Sequence, residues 1–108
     1  MENLFAYPAA ARPGNPEFFE TLFRASGEVR VERIVSHGQV TPEGNWYDQN
    51  EDEWVLVLEG AARIGYPDGR EAALGPGDHL MLPKRVKHRV AYTSSPCLWL
   101  AVFGNLLP

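Results

Sequence analysis

From Gly27 onward the chain is a succession of short strand-like runs separated by glycine and proline: "EVRVERIVSH", "EWVLVLEG", "AARIGY", "REAAL", "HLMLP", "VKHRVAY" and "CLWLAVF". Short strands at close, regular spacing with such turns leave few packings open, chiefly a small antiparallel barrel or sandwich. Pro67-Asp68-Gly69 stands between two of the runs, and Asp-Gly is a strong hairpin signal because both central turn residues need unusual backbone angles. "EWVLVLEG" is apolar on both faces, as expected of a strand buried between layers. In "EVRVERIVSH" the alternation puts Val29, Val31 and Val35 on one face, and His37 continues that parity, so it can reach the barrel mouth.

Before the strands, "YPAAARPG" reads as an extended, proline-punctuated arm, and "NPEFFETLFRASG" reads as a helix. Asn15 can cap it, Pro16 suits the first helical position and Glu17 favours the positive end of the dipole. Phe18, Phe19, Leu22 and Phe23 then form an apolar stripe, and Gly27 ends the run. The expectation is a helix over Asn15–Ser26 packed outside the barrel. Residues 1–27 form arm and helix, residues 28–108 the barrel, and the two make one folding unit.

At 108 residues, 44% of them hydrophobic, the chain is long enough for one core and not for two. The net charge of −4, with no basic cluster beyond Lys84, Arg85 and Lys87, argues against a nucleic-acid partner. "MENLFAYPAA" lacks the basic-then-apolar pattern of a secretory signal, and the longest apolar run, Trp54 to Leu58, is too short for a membrane helix. A single cysteine, Cys97, excludes an intramolecular disulfide and is read as small core filler. These bounds predict a soluble cytoplasmic domain.

Six polar or acidic residues, Asp48 to Glu53, run directly into the densest strand. Strand parity places Glu53 on one face with Val55 and Val57, while Trp54, Leu56 and Leu58 take the other. A carboxylate among valines must be paired, hydrogen-bonded or coordinated, because an unpartnered buried charge is very costly. In "VKHRVAY" the same parity groups Val86, His88, Val90 and Tyr92. A carboxylate and an imidazole are therefore expected inside one barrel. Glu51 and Asp52 read as a solvated acidic loop, His79 as a surface residue, and Arg85 as part of an exposed basic loop. Trp46, Trp54 and Trp99 read as core or subunit-interface anchors.

With these residues in view the chain resembles the cupins, small single-domain barrels of the RmlC-like superfamily. Their two motifs read G-x5-H-x-H-x3-4-E-x6-G and G-x5-P-x-G-x2-H-x3-N. Glu53 followed by six residues and Gly60 matches the end of the first. Gly77, Pro83 and His88 match the second, and the matched motifs span residues 44 to 92. The resemblance implies an all-β antiparallel double-stranded β-helix, a jelly-roll barrel, with one short N-terminal helix. It also implies a homodimer and a divalent metal held by three histidines and a glutamate. This chain keeps only Glu53 and His88 of that set. With three intervening residues Gln49 and Tyr47 occupy the other positions, and with four Asp48 and Trp46 do. Arg85 replaces the second motif's glycine and Tyr92 its asparagine.

Two functional classes follow. In the first, a small cupin enzyme acts on a compact polar molecule. Gln49 or Asp48 joins Glu53 and His88 around manganese, iron, nickel or zinc, Tyr47 moves a proton, and His37 and Tyr92 border the pocket. In the second, the barrel is a metal-free, non-catalytic module that binds a small ligand through the same groups. No phosphate-binding loop, dinucleotide fingerprint or nucleophile elbow supplies a competing chemistry.

Overall fold

The computed structural model describes residues 2–107, nearly all of them in strands or the loops that join strands. The strands are β1 (Glu2–Asn3), β2 (Arg24–Ser36), β3 (Asp52–Glu59), β4 (Ala62–Gly65), β5 (Glu71–Leu74), β6 (Asp78–Leu82), β7 (Arg89–Thr93) and β8 (Cys97–Leu107). They form a five-stranded sheet in the order β1-β6-β3-β8-β2 and a three-stranded sheet in the order β5-β4-β7. Every pairing is antiparallel. The jelly-roll barrel that the resemblance implies is the observed fold. No described helix is long and apolar enough to cross a membrane.

The β4–β5 connection shows how local chemistry sets the frame. Gly69 takes φ +90°, a conformation that favours glycine, and its N–H donates to the Tyr66 carbonyl at 2.9 Å. The Asp68 carboxylate accepts from the Arg70 N–H at 2.9 Å and from its guanidinium at 2.6 Å, locking the hairpin predicted from Pro67-Asp68-Gly69.

β3 lies between β6 and β8, and its two faces feed two cores. Val55 and Val57 pack inward with Ile64, Leu74, Leu82, Trp99, Ala101 and Phe103, together with the fully buried Cys97. On the opposite face Trp54 and Leu56 pack with Leu106, and Phe23, Met81, Leu100 and Val102 cover them. Trp54 also donates its indole N–H to His79 Nδ1 at 3.2 Å. His79, expected at the surface, is instead buried, because β6 pairs it opposite Leu56 beneath the Trp54 ring. Asp52, expected in a solvated loop, is also buried. Its two carboxylate oxygens accept from the backbone N–H groups of Lys84 at 2.8 Å and Leu106 at 3.0 Å, which satisfies the charge and anchors the start of β3.

The short N-terminal helix is a single 3-10 turn at Ala9–Ala11, and the predicted helix over Asn15–Ser26 does not form. Residues 15–23 follow no regular element, and Arg24–Ser26 already pair with Leu107, Leu106 and Asn105 of β8. A helix of about 12 residues is marginal in water unless its apolar stripe is covered. Here Phe18, Phe19 and Leu22 stay exposed, Phe19 by 82%, while Phe23 alone swings onto Trp54 with ring centroids 5.2 Å apart. Long-range strand pairing outweighs the local helical preference. Gly27, at φ +79°, lies in a bulge between Ser26 and Val29 and does not act as a helix stop.

β2 turns its valine face, and with it the parity of His37, away from the barrel interior. Val29, Val31 and Val35 point outward, Val31 with 59% exposure, and Glu32, Ile34 and Ser36 border the barrel interior. Trp99 confirms the register, since its indole N–H donates across to Ser36 Oγ at 3.2 Å.

Candidate functional site

A cavity of about 400 Å³ opens at one end of the barrel. Its walls are apolar, from Ile34, Val55, Ile64, Leu82, Val90, Trp99 and Phe103, and its polar groups include Glu32, Ser36, Tyr47, Gln49, Glu53 and His88. Four of these six had been singled out from the sequence. A cavity of this size with apolar walls and a few convergent polar groups has the dimensions of a small-molecule site.

Each polar group is placed by backbone pairing. Glu53 points inward with Val55 and Val57 because the three share parity on β3, and its Cα partners are Leu82 and Phe103. Gln49 is held by its carbonyl, which accepts from the Arg85 N–H at 2.7 Å. Tyr47 and His88 exchange both backbone hydrogen bonds, at 2.7 and 3.2 Å, and their rings stack with centroids 5.3 Å apart. Thr41 ties the preceding loop to β7, donating its N–H to the Val90 carbonyl at 2.9 Å and accepting from the Val90 N–H on Oγ1 at 2.9 Å.

The side chains then interact within the cavity. Gln49 donates an amide N–H to Glu53 Oε1 at 3.2 Å. His88 Nδ1 faces the Val86 carbonyl at 3.4 Å, and a carbonyl only accepts, so Nδ1 carries the proton and Nε2 is left as an acceptor. Burial pushes the Glu53 carboxyl above its ordinary range; the Gln49 hydrogen bond offsets part of that, and the charge of Glu32 adds to it. Burial also holds the His88 imidazole below its ordinary value, partly offset by the Val86 carbonyl. The Glu53 proton is thus held more tightly than in water and the His88 proton less tightly.

Three residues expected at the site lie elsewhere. Asp48 points away from the cavity and pairs with the Arg85 guanidinium at 3.2 Å, so Gln49 and not Asp48 is the neighbour of Glu53. Arg85 itself adopts φ +64°, the left-handed conformation that explains why the motif it resembles has glycine there. His37 lies one residue beyond β2 with the outward parity of the valines, and its Nδ1 contacts Ser95 Oγ at 3.3 Å. Tyr92 turns outward because the β4–β7 register slips between Arg63 and Ile64, leaving Ala91 unpaired. The bulge reverses the parity after Val90, and the Tyr92 ring instead receives the Arg63 guanidinium 4.9 Å from its centroid. Sequence reasoning missed Glu32, Ile34, Ser36, Trp99 and Phe103. The alternation in β2 contains the signal for the first three, which share the face opposite Val29, Val31 and Val35.

The donor set does not fit a transition-metal centre. Such a centre takes three or four protein ligands of thiolate, imidazole or carboxylate type. Among the described residues no group of three or more His, Cys, Asp or Glu side chains gathers to hold one. The Gln49 amide also turns its N–H, a donor that no cation accepts, toward the Glu53 carboxylate.

Fold and site together define a single-domain barrel with a ligand-sized interior. The chain belongs to the cupin family, whose cupin domain model matches residues 31–103. It is similar over 97% of both chains, at 37% identity and a TM-score of 0.68, to the crystal structure of "a putative mannose-6-phosphate isomerase" from Ralstonia eutropha JMP134. It is also similar to a cupin superfamily protein from Desulfitobacterium hafniense DCB-2, at 22% identity, 78% and 76% coverage and a TM-score of 0.61. The lyase DddQ from Ruegeria pomeroyi DSS-3, which acts on DMSP, matches at 22% identity over 75% of this chain and 40% of its own, with a TM-score of 0.61. The last two share the fold alone. No curated protein matches the sequence.

Proposed function

We propose that this cupin binds a compact polar small molecule in its barrel through its own side chains and not through a bound metal. One observation carries the reading: Tyr47, Gln49, Glu53 and His88 converge on a cavity of about 400 Å³ whose remaining walls are largely apolar. Such walls exclude water from a bound molecule, and the few polar groups then fix its orientation. The isomerase name of the Ralstonia relative does not carry over to this cavity. A phosphate ester would sit beside Glu32 and Glu53 with no lysine or arginine among the described lining residues.

A second reading, proton transfer on the bound molecule, is favoured by the opposite displacements of Glu53 and His88. A carboxyl that holds its proton more tightly and an imidazole that holds its proton less tightly line the same cavity, which is the arrangement of an acid–base pair, and Tyr47 stacked on His88 would be the third proton-bearing group. The partner surface is read as a second copy of the chain. The outward valines of β2 and the exposed Phe18 and Phe19 form more apolar surface than a lone small barrel ordinarily leaves bare.

The test is heteronuclear NMR on labelled protein with a library of compact polar metabolites. Binding shifts the Trp99 indole and His88 signals, and Ile34→Phe, which fills the cavity from one wall, abolishes the shifts. A library that moves neither signal would remove the support for a ligand site.

A further inference from the structure

Two carboxylates, Glu32 and Glu53, line the cavity, and no lysine or arginine joins them among the described residues. The nearby cations are already engaged. Arg30 binds Glu32 at 2.8 Å and Glu51 at 2.9 Å, Arg85 binds Asp48 at 3.2 Å, and Arg89 donates to the Thr41 carbonyl at 3.3 Å. Glu53, only 8% exposed, therefore has no direct salt bridge and feels the Arg30 charge only at a distance, although an unpaired charge is among the costliest groups to bury. Its one side-chain hydrogen bond comes from the neutral Gln49 amide.

The inner end of the cavity is also rich in acceptors. His88 is 4% exposed and its Nε2 has no protein partner, yet among the described residues Arg89 Nε is the only fully buried side-chain polar atom left unsatisfied. His88 Nε2 thus keeps its residual exposure toward the cavity that the residue lines. The second Glu53 oxygen is likewise without a partner, and Gln49, which also lines the cavity, keeps a side-chain carbonyl that can only accept. Carboxylate, imidazole nitrogen and amide carbonyl all call for N–H donors on the guest. Tyr47 and Trp99 supply aromatic wall, which attracts a cation, while the Phe103 ring already receives the Arg30 guanidinium 4.3 Å from its centroid.

We propose that the cavity takes a compact organic cation, a protonated amine or an amidine, whose N–H groups are held between the Glu53 carboxylate and His88 Nε2. This deepens the small-molecule reading of the site and rests on it. An anionic guest would bring a second negative charge against Glu53, which has no direct salt bridge, whereas Glu32 is already paired with Arg30. A neutral polyol would leave the Glu53 charge uncompensated.

Three probes of similar size and different charge separate these cases: 3-aminopropan-1-ol, propane-1,3-diol and 3-hydroxypropanoate. Each is titrated into labelled protein at neutral pH while the Trp99 indole and His88 signals are followed. A charge-assisted hydrogen bond predicts that the amine binds about tenfold or more tightly than the diol, and the acid leaves both signals unmoved. Glu53→Gln, nearly isosteric, abolishes the amine's advantage while thermal unfolding remains cooperative; should that variant not fold, the titrations of the parent protein decide alone. A diol or acid that shifts both signals at least as strongly as the amine overturns the charge assignment and leaves the small-molecule reading standing. An amine that moves neither signal also overturns it, and the small-molecule reading then rests on the metabolite library alone.

Discussion

The Gln49 amide nitrogen stands 3.2 Å from a Glu53 carboxylate oxygen, on adjoining inward positions at the mouth of β3. These two positions, with Tyr47 and His88, are those at which the cupin motifs place metal ligands. The frame of such a centre is therefore retained while half of its ligand chemistry is replaced. An amide that donates to the carboxylate gives that carboxylate a neutral neighbour and leaves its charge open to a guest.

Metal dependence tests this replacement directly. Manganese, nickel and zinc are expected to leave the thermal unfolding midpoint of the parent unchanged. Tyr47→His with Gln49→His restores three imidazoles beside Glu53, and added nickel or zinc should then raise the midpoint by several degrees. The check is a thermal melt with and without each ion after chelator treatment. A metal-dependent rise in the parent would contradict the reading of the donor set.

Glu53 should make stability decline as pH rises. Its carboxyl titrates above the ordinary value of 4.5 in the folded chain. Between that value and the raised folded one, the native state keeps a proton that the unfolded state has lost, so stability falls through the window and stays lower above it. Glu53→Gln removes the effect. The variant is expected to gain on the parent as pH rises toward 8, with the difference closing toward pH 4. Urea unfolding across that range measures it.

His88 acts with the opposite sign. Its folded value lies below 6.5, so between the two values the unfolded chain binds more protons and stability rises with pH. Acidification below pH 6.5 then costs stability, and His88→Gln should flatten that slope. Because the two slopes oppose one another, the parent profile understates both, and the single variants are needed to expose them. NMR of the His88 ring protons should give a midpoint below 6.5; a midpoint at or above it would contradict the burial argument.

The outward valines predict association. Light scattering at micromolar concentration is expected to report twice the chain mass. Val31→Glu, on the exposed face of the β2 edge strand, should shift the protein to monomer without lowering its cooperative unfolding. A parent already monomeric at that concentration would leave the valine face without a partner of its own kind.

What the sequence by itself determined lies where covalent geometry decides. Strand alternation has a period of two, so Glu53 had to share a face with Val55 and Val57 once β3 existed. Asp68-Gly69 had to turn, since only glycine takes φ +90° without strain. The resemblance of the Gly77, Pro83 and His88 spacing to the second cupin motif implied that His88 reaches the same interior as Glu53, and both line the cavity.

Tertiary structure alone decided the rest, because the deciding contacts come from distant parts of the chain. The unpaired Ala91 reverses the facing of Tyr92, and that bulge exists only in the pairing of β7 with β4. Arg85, 37 residues after Asp48, draws its carboxylate outward and leaves Gln49 beside Glu53. Which face of β2 points inward was set by β8, whose Trp99 bonds Ser36. The stripe of Phe18, Phe19, Leu22 and Phe23 carried a clear helical period, but it found no surface to cover it, and β8 drew Arg24–Ser26 into the sheet. A local period proposes which side chains can share a face; only the partner strand fixes which face is inside.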